Sequence, residues 1–225
     1  MYTWDFGWVW TYRKALLDAF WVTVQLNLWI LVVGSILGFL AWAARTSRVR
    51  LFRVLAITYI DLFRTLPVLV LLVWFFFCVP ILLGGIRVGP MMSAVIVLSL
   101  NLSAFVAEII RAGIEAIPVV QIECARACGL SEPQVLREVV LPIALRNMIP
   151  PLVGQYINSV KLSVLASIIA VPELLQKTTD IASQVYRPLE FYTVLAVLFL
   201  ILLLPGTILS RRLETGQRRH PETSW

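Results

Sequence analysis

Residues 19–44 contain no charged side chain, and that run decides what the chain can become. The hydrocarbon core of a bilayer is about 30 Å thick and takes roughly 20 apolar residues to cross as helix. Comparable runs recur at Thr65–Ile86, at Val88–Ala107 with Glu108 at its end, at Asn147–Val171 interrupted only by Lys161, and at Phe191–Ser210. Backbone groups in lipid must be satisfied within their own segment, so these runs read as helices. The chain is 60% hydrophobic and 14% charged, against roughly a quarter charged in soluble domains. A soluble fold of this length has no interior large enough for that apolar surface. The sequence therefore predicts an all-α integral membrane protein with about five transmembrane helices, near 19–44, 55–83, 88–115, 147–171 and 191–211.

The net charge of +6 does not point to nucleic acid, because the basic residues fall in the gaps between apolar runs rather than on one wet face. Arg45, Arg48, Arg50 and Arg53 follow the first run; Arg111, Arg126, Arg137 and Arg146 follow the third; Arg211, Arg212, Arg218 and Arg219 follow the fifth. The other gaps hold little: Arg87, then Lys177 and Arg187 offset by Glu173, Asp180 and Glu190. The positive-inside rule places the arginine-rich gaps in the cytoplasm, with the N-terminus outside and the C-terminal tail, 215–225, inside. Residues 1–18 carry Trp4, Trp8 and Trp10 and no apolar core ending in a cleavage site. They read as a short leader helix lying in the outer interface, with the start of the first span as the alternative. Prolines punctuate the spans: Pro67 and Pro80 in the second, Pro150 and Pro151 opening the fourth, Pro172 closing it, and Pro205 in the fifth. Cys78, Cys124 and Cys128 have no scaffold spacing, and His220 lies far off in the tail. No metal site is expected from that set.

The stretch between the third and fourth spans, about 116–146, is long and mixed in charge. Gln121–Cys128 has helical composition, and Gly129 follows as a C-cap. Ser131 with Gln134 forms a capping-box pattern, Pro133 sits in the first turn, and Leu141-Pro142 is expected to end that second helix. A capped hairpin of this kind is either a docking element or a well-made connector.

This stretch resembles the EAA coupling loop of ABC-importer permeases: Glu123-Cys124-Ala125, Gly129 and Val139-x-Leu141-Pro142 stand at the motif's spacing, with Cys124 and Val139 as its two departures. The resemblance covers nearly the whole chain and points to the polar-amino-acid-uptake branch. Thr23-Val24-Gln25-Leu26, Phe63-Arg64-Thr65-Leu66-Pro67, Ala107-Glu108-Ile109 through Gly113-Ile114, Pro142 to Pro151, and Lys161 with Leu165-Ala166-Ser167 and Val171-Pro172-Glu173-Leu174 carry it.

The resemblance implies a permease subunit whose partners are two ABC ATPase subunits, a second permease, identical or paralogous, and an extracytoplasmic solute-binding protein. It implies that Glu123, Ala125, Gly129, Leu141 and Pro142 form the ATPase-coupling element. The chain has no G-x-x-x-x-G-K-[ST] run. ATP and Mg are accordingly expected in the partner, with no cofactor and no catalytic residue in this chain.

Charges in membrane helices are costly and usually face protein or water. Glu108 and Arg111 either snorkel to the interface or hold neighbouring helices, and Arg64, near Asp61, divides the same way. Pro67 joins them as a structural or gating position. Lys161 either pairs with a group from another helix or serves as a gate or cavity residue. The resemblance implies a substrate pathway including Asn101, Ser103, Phe105, Lys161 and Ser163. The branch commonly has an acidic residue after the lysine; Leu162 stands there, which argues against a cavity tuned for a cation by this subunit, so that it is either the less selective half of a hetero-pair or carries a neutral or zwitterionic solute. A channel or ion-coupled secondary transporter is the competing class, and it leaves the hairpin unexplained.

Overall fold

The computed structural model describes residues 2–85 and 88–218, with side chains to Leu213. The predicted tail beyond Arg218, with Arg219 and His220, and Arg87 in the loop after the second run lie outside them. Among the described residues ten α-helices follow in order: α1 Gly7–Thr11, α2 Arg13–Arg45, α3 Arg50–Thr65, α4 Val68–Leu82, α5 Pro90–Glu115, α6 Val119–Ala127, α7 Glu132–Gln134, α8 Leu141–Leu162, α9 Leu174–Val185 and α10 Pro188–Arg218. Among the described residues 4 helices are long and apolar enough to cross a membrane, or 5 crossings if the bent pair α3–α4 counts as one.

The core is the packing of α2 on α5. Thr23, Leu26, Asn27, Ile30, Gly34 and Gly38 share one face of α2 at helical spacing and are buried. Two of them are glycines because the helices meet almost backbone to backbone: a Cβ on Gly34 would lie 2.8 Å from Leu102, and one on Gly38 2.6 Å from Val106. Small residues are what permits such approach between membrane helices. Leu72 of α4 and Ala166, Ile169 and Val171 beyond α8 complete the cluster. The most apolar stretch of α5 is 61% buried and that of α10 only 6%. α5 is thus the hub, and α10 is a peripheral span facing lipid or a partner.

Four expectations change. The first span's helix already begins at Arg13, so only α1 stands as a separate leader helix. The leader is tied down by Glu190, which is fully buried and accepts from the Tyr2 hydroxyl and from the Asp5 backbone N–H at 3.0 Å. The second span, expected as one helix over 55–83, turns by 106° between α3 and α4. Leu66, ahead of Pro67, is extended at φ −76°, ψ 137°, because the proline ring excludes the helical conformation from the preceding residue.

Leu141-Pro142 does not end its helix, and Pro150-Pro151 do not open a new one. Helix runs from Glu132 to Ile169, with a π-helical turn at Val135–Val140 directly before Pro142. That wider turn relieves the clash a proline ring makes with the carbonyl four residues back. The gap after the fourth span contains α9, for which the sequence reading gives no element. Its N-cap Glu173 accepts from the backbone N–H groups of Leu175 and Gln176, both at 2.9 Å. Burial pushes the Glu173 carboxyl above its usual range, and those two N–H groups oppose the shift.

Candidate coupling site and translocation face

Three features collect the residues singled out by sequence. The first is the hairpin α6–α7. Gly129 takes φ +86°, and Leu130 N–H reaches back to Ala125 O at 3.3 Å while Gly129 N–H reaches Arg126 O at 2.9 Å. This is a glycine-terminated helix end that satisfies two orphan carbonyls. Ser131 and Gln134 form the capping box, with Ser131 N–H donating to Gln134 Oε1 at 2.9 Å. Arg126 clamps the two arms through Glu132, at 2.8 and 3.1 Å.

The hairpin's inner side packs on the ends of α5 and α8 through Ile117, Ala144 and Met148, with Ile122 and Val140 against them. Ala125 is buried at 9% exposure. It therefore holds the hairpin rather than offering a contact outward. Val119, Val120, Glu123, Cys124 and Ala127 lie on the opposite face and are exposed. Leu141 and Pro142 are exposed where the helix leaves the hairpin. Helix runs without a break from Glu132, in the second arm of the hairpin, through α8, so that arm is continuous with a span.

The second feature is an ion-pair node. Glu108 on α5 meets Arg45 of α2 at 2.8 Å, Arg64 of α3 at 3.6 Å, and Arg111 of its own helix. Arg111 also pairs with Glu115. The Arg64 guanidinium lies 5.7 Å from the Phe105 ring centroid, a cation–π distance. Its partners are thus Glu108 and Phe105, although Asp61 is nearer in the chain. Glu108 thus makes ion pairs with residues of three helices, α2, α3 and α5. Glu108→Gln strips the node of its shared charge and leaves three guanidinium groups facing one another. It should lower stability by about 2 kcal/mol, the scale of a charged hydrogen-bond network, read as a drop in the thermal midpoint in detergent.

The third feature is α8. Pro151, Gly154, Asn158 and Lys161 recur at helical spacing and are exposed. A Cβ on Gly154 would meet nothing within 4 Å. Polar side chains such as Asn158 and Lys161 on a membrane helix usually face protein or water rather than lipid. The remaining pathway expectations sit elsewhere. Asn101 donates to Phe63 O at 2.8 Å, and Ser103 bonds the Tyr59 hydroxyl, so both fasten α3 to α5. Ser163 is buried and accepts from Asn27 Nδ2 at 3.0 Å. Of the five, Lys161 alone lies on the exposed stripe. Sequence reasoning misses Gly154 and Asn158, though a small or polar residue every three to four positions in an apolar run is there to be read.

The described residues thus form a multi-span helical bundle with a capped hairpin continuous with one of its spans. The chain belongs to the family of binding-protein-dependent transport system inner membrane components, which matches residues 26–219. It is 32% identical over 210 residues to the glutamine transport system permease protein of Escherichia coli K12, covering 93% of this chain and 96% of that one. It is 33% identical over 205 residues to a probable glutamine ABC transporter permease protein of Bacillus subtilis 168, covering 90% and 93%. An arginine transport system permease protein of the same strain is 30% identical over 199 residues, covering 88% and 90%. Among solved structures, an amino acid ABC transporter superposes with a TM-score of 0.85 at 29% identity over 97% of this chain and all of that one. An inward-facing methionine ABC transporter shares the fold at a TM-score of 0.61 and 20% identity, over 93% and 99%. The chain is thus the permease subunit of an importer in the inner membrane.

Proposed function

We propose that this permease carries a polar amino acid or a similar small zwitterion, driven by ATP hydrolysed in partner subunits that dock on the α6–α7 hairpin. The observation that carries the coupling is the hairpin's construction: two capped arms, a charged clamp and a buried inner face, with Glu123 on the outer face. A channel or ion-coupled carrier has no use for such a lever. Glutamine and arginine in the names of relatives support an amino acid as cargo. Leu162 in place of an acidic residue favours a zwitterion over a cation.

In this reading two permeases face each other across α8. Lys161, Asn158 and Gly154 then line the pathway, while Asn101, Ser103 and Ser163 hold the helices that frame it. Glu108, Arg64 and Pro67 stabilise the α3–α4 corner that rocks with them. ATP and Mg are held by the two ATPase subunits, and a solute-binding protein delivers cargo from outside, so that the hairpin and the α2–α3 corner lie in the cytoplasm. Closure of the ATPases moves the hairpins, and α8 transmits that motion as one of two discrete arrangements.

The test is co-purification with an ABC ATPase subunit co-expressed with the permease. Glu123→Arg should abolish capture while leaving the permease folded, since Glu123 is exposed. An ATPase that binds the variant as well as the wild type would remove the docking face from the hairpin.

A further inference from the structure

α2 has 33 residues, about 50 Å of helix at 1.5 Å per residue, so it outruns a core about 30 Å thick. Its C-terminal end and the turn into α3 therefore emerge in a headgroup layer. Four arginines follow there in nine positions: Arg45, Arg48, Arg50 and Arg53. Arg45 is taken by Glu108. Arg48, Arg50 and Arg53 are exposed and make no ion pair among the described residues. Between and beside them Val49, Leu51, Phe52, Val54 and Leu55 are each at least half exposed, Leu51 at 64%. Apolar side chains interleaved with unpaired guanidinium groups suit neither water nor hydrocarbon alone. They suit the boundary, where apolar groups enter the acyl edge and arginines stay at the phosphates.

We infer that this elbow, residues 48–55, binds the phosphate groups of anionic phospholipids. Guanidinium matches phosphate with paired hydrogen bonds, and a cluster of basic residues directly beyond a span is the pattern that anionic headgroups attract. The elbow is continuous with a span, which fixes it at the membrane surface. A protein surface covering it would have to bury alternating charge and apolar groups one by one. The far end of α3 is fastened to α5 by Arg64 and Tyr59. Bound headgroups would thus hold the near end of a helix whose other end is already fixed. The leaflet involved is the cytoplasmic one if the orientation proposed above is right; headgroup binding itself does not depend on it.

The experiment uses the full chain in neutral detergent, offered equal amounts of phosphatidylglycerol and phosphatidylcholine, with retained lipid counted by native mass spectrometry. Wild type should favour phosphatidylglycerol. The triple variant R48Q/R50Q/R53Q should lose that preference by at least ~10-fold, taking a factor of several for each basic residue at a charged surface. R48K/R50K/R53K should keep most of it. The wild-type preference should also fade as salt rises to about 1 M, where screening reaches ~3 Å, which tests the electrostatics without any variant. An unchanged preference in the glutamine variant, or none in wild type, overturns the inference. So does a glutamine variant that keeps its phosphatidylglycerol but loses a co-purifying ATPase, because the surface then belongs to a protein partner.

Discussion

Replacing Gly38 with valine is expected to destabilise the bundle strongly. A Cβ there would lie 2.6 Å from Val106 Cβ, 2.7 Å from Val106 Cγ1 and 2.9 Å from the backbone oxygen of Ser103. A β-branched side chain has no means of bending out of the way, and a backbone carbonyl in the middle of α5 cannot yield. The two helices must separate at the contact that buries most of the core. Overpacking of this kind costs on the order of 3 kcal/mol, and for a chain of this size that is roughly a 10 °C fall in the thermal midpoint. Gly38→Ala should show part of the loss, since the first added carbon already clashes. Gly34 is more forgiving, because its obstacles are Leu102 Cδ2, Cγ and Cβ at 2.8, 3.0 and 3.1 Å, all in one side chain, with no backbone atom among them. Gly154→Ala, with nothing within 4 Å, should leave the midpoint unchanged. A wild-type midpoint for Gly38→Val would mean that α2 and α5 are not in backbone contact.

That contact shows where sequence reading succeeds and where it stops. Uncharged runs of sufficient length announce α2, α5 and α10, because the bilayer leaves helix as the only option. The hairpin is legible for a different reason: Gly129, Ser131 and Gln134 are local signals, each acting over a turn or less. The partners of Glu108 are not legible. Arg45 and Arg64 stand far from it in the chain, and only the packing of three helices brings them to one carboxylate. The same holds for Asn101, whose amide fits a pathway as readily as a carbonyl of α3. Proline misleads in both directions. Pro67 breaks its span because Leu66 is free to be extended, while Pro142 is absorbed because a π-helical turn precedes it. A proline says that the backbone must adapt, and the neighbours decide how. α9 escapes a sequence reading because its charges resemble those of a loop. Its buried face, Leu174, Thr178, Ile181 and Ala182, has helical spacing.

The second large effect concerns function with the fold intact. Gly129→Val meets no steric obstacle, since a Cβ there has nothing within 4 Å. All of its cost lies in the backbone, at φ +86°. Left-handed conformations cost an ordinary residue roughly 1–2 kcal/mol and a β-branched one more. The turn will move to relieve that strain. When it moves, the Leu130-to-Ala125 hydrogen bond and the Arg126–Glu132 clamp break first, and α6 is no longer held against α7. The spans do not depend on this turn, so insertion and the thermal midpoint should stay near wild type. What should fall is the coupling ratio, solute taken up per ATP hydrolysed by the reconstituted importer, by at least ~10-fold, the factor that about 1.4 kcal/mol corresponds to. Gly129→Asn should lose much less, because asparagine tolerates the left-handed region. Asparagine and valine failing equally would point to a missing contact at the turn rather than backbone strain. A normal ratio with valine would show that the hairpin need not be rigid to work as a lever.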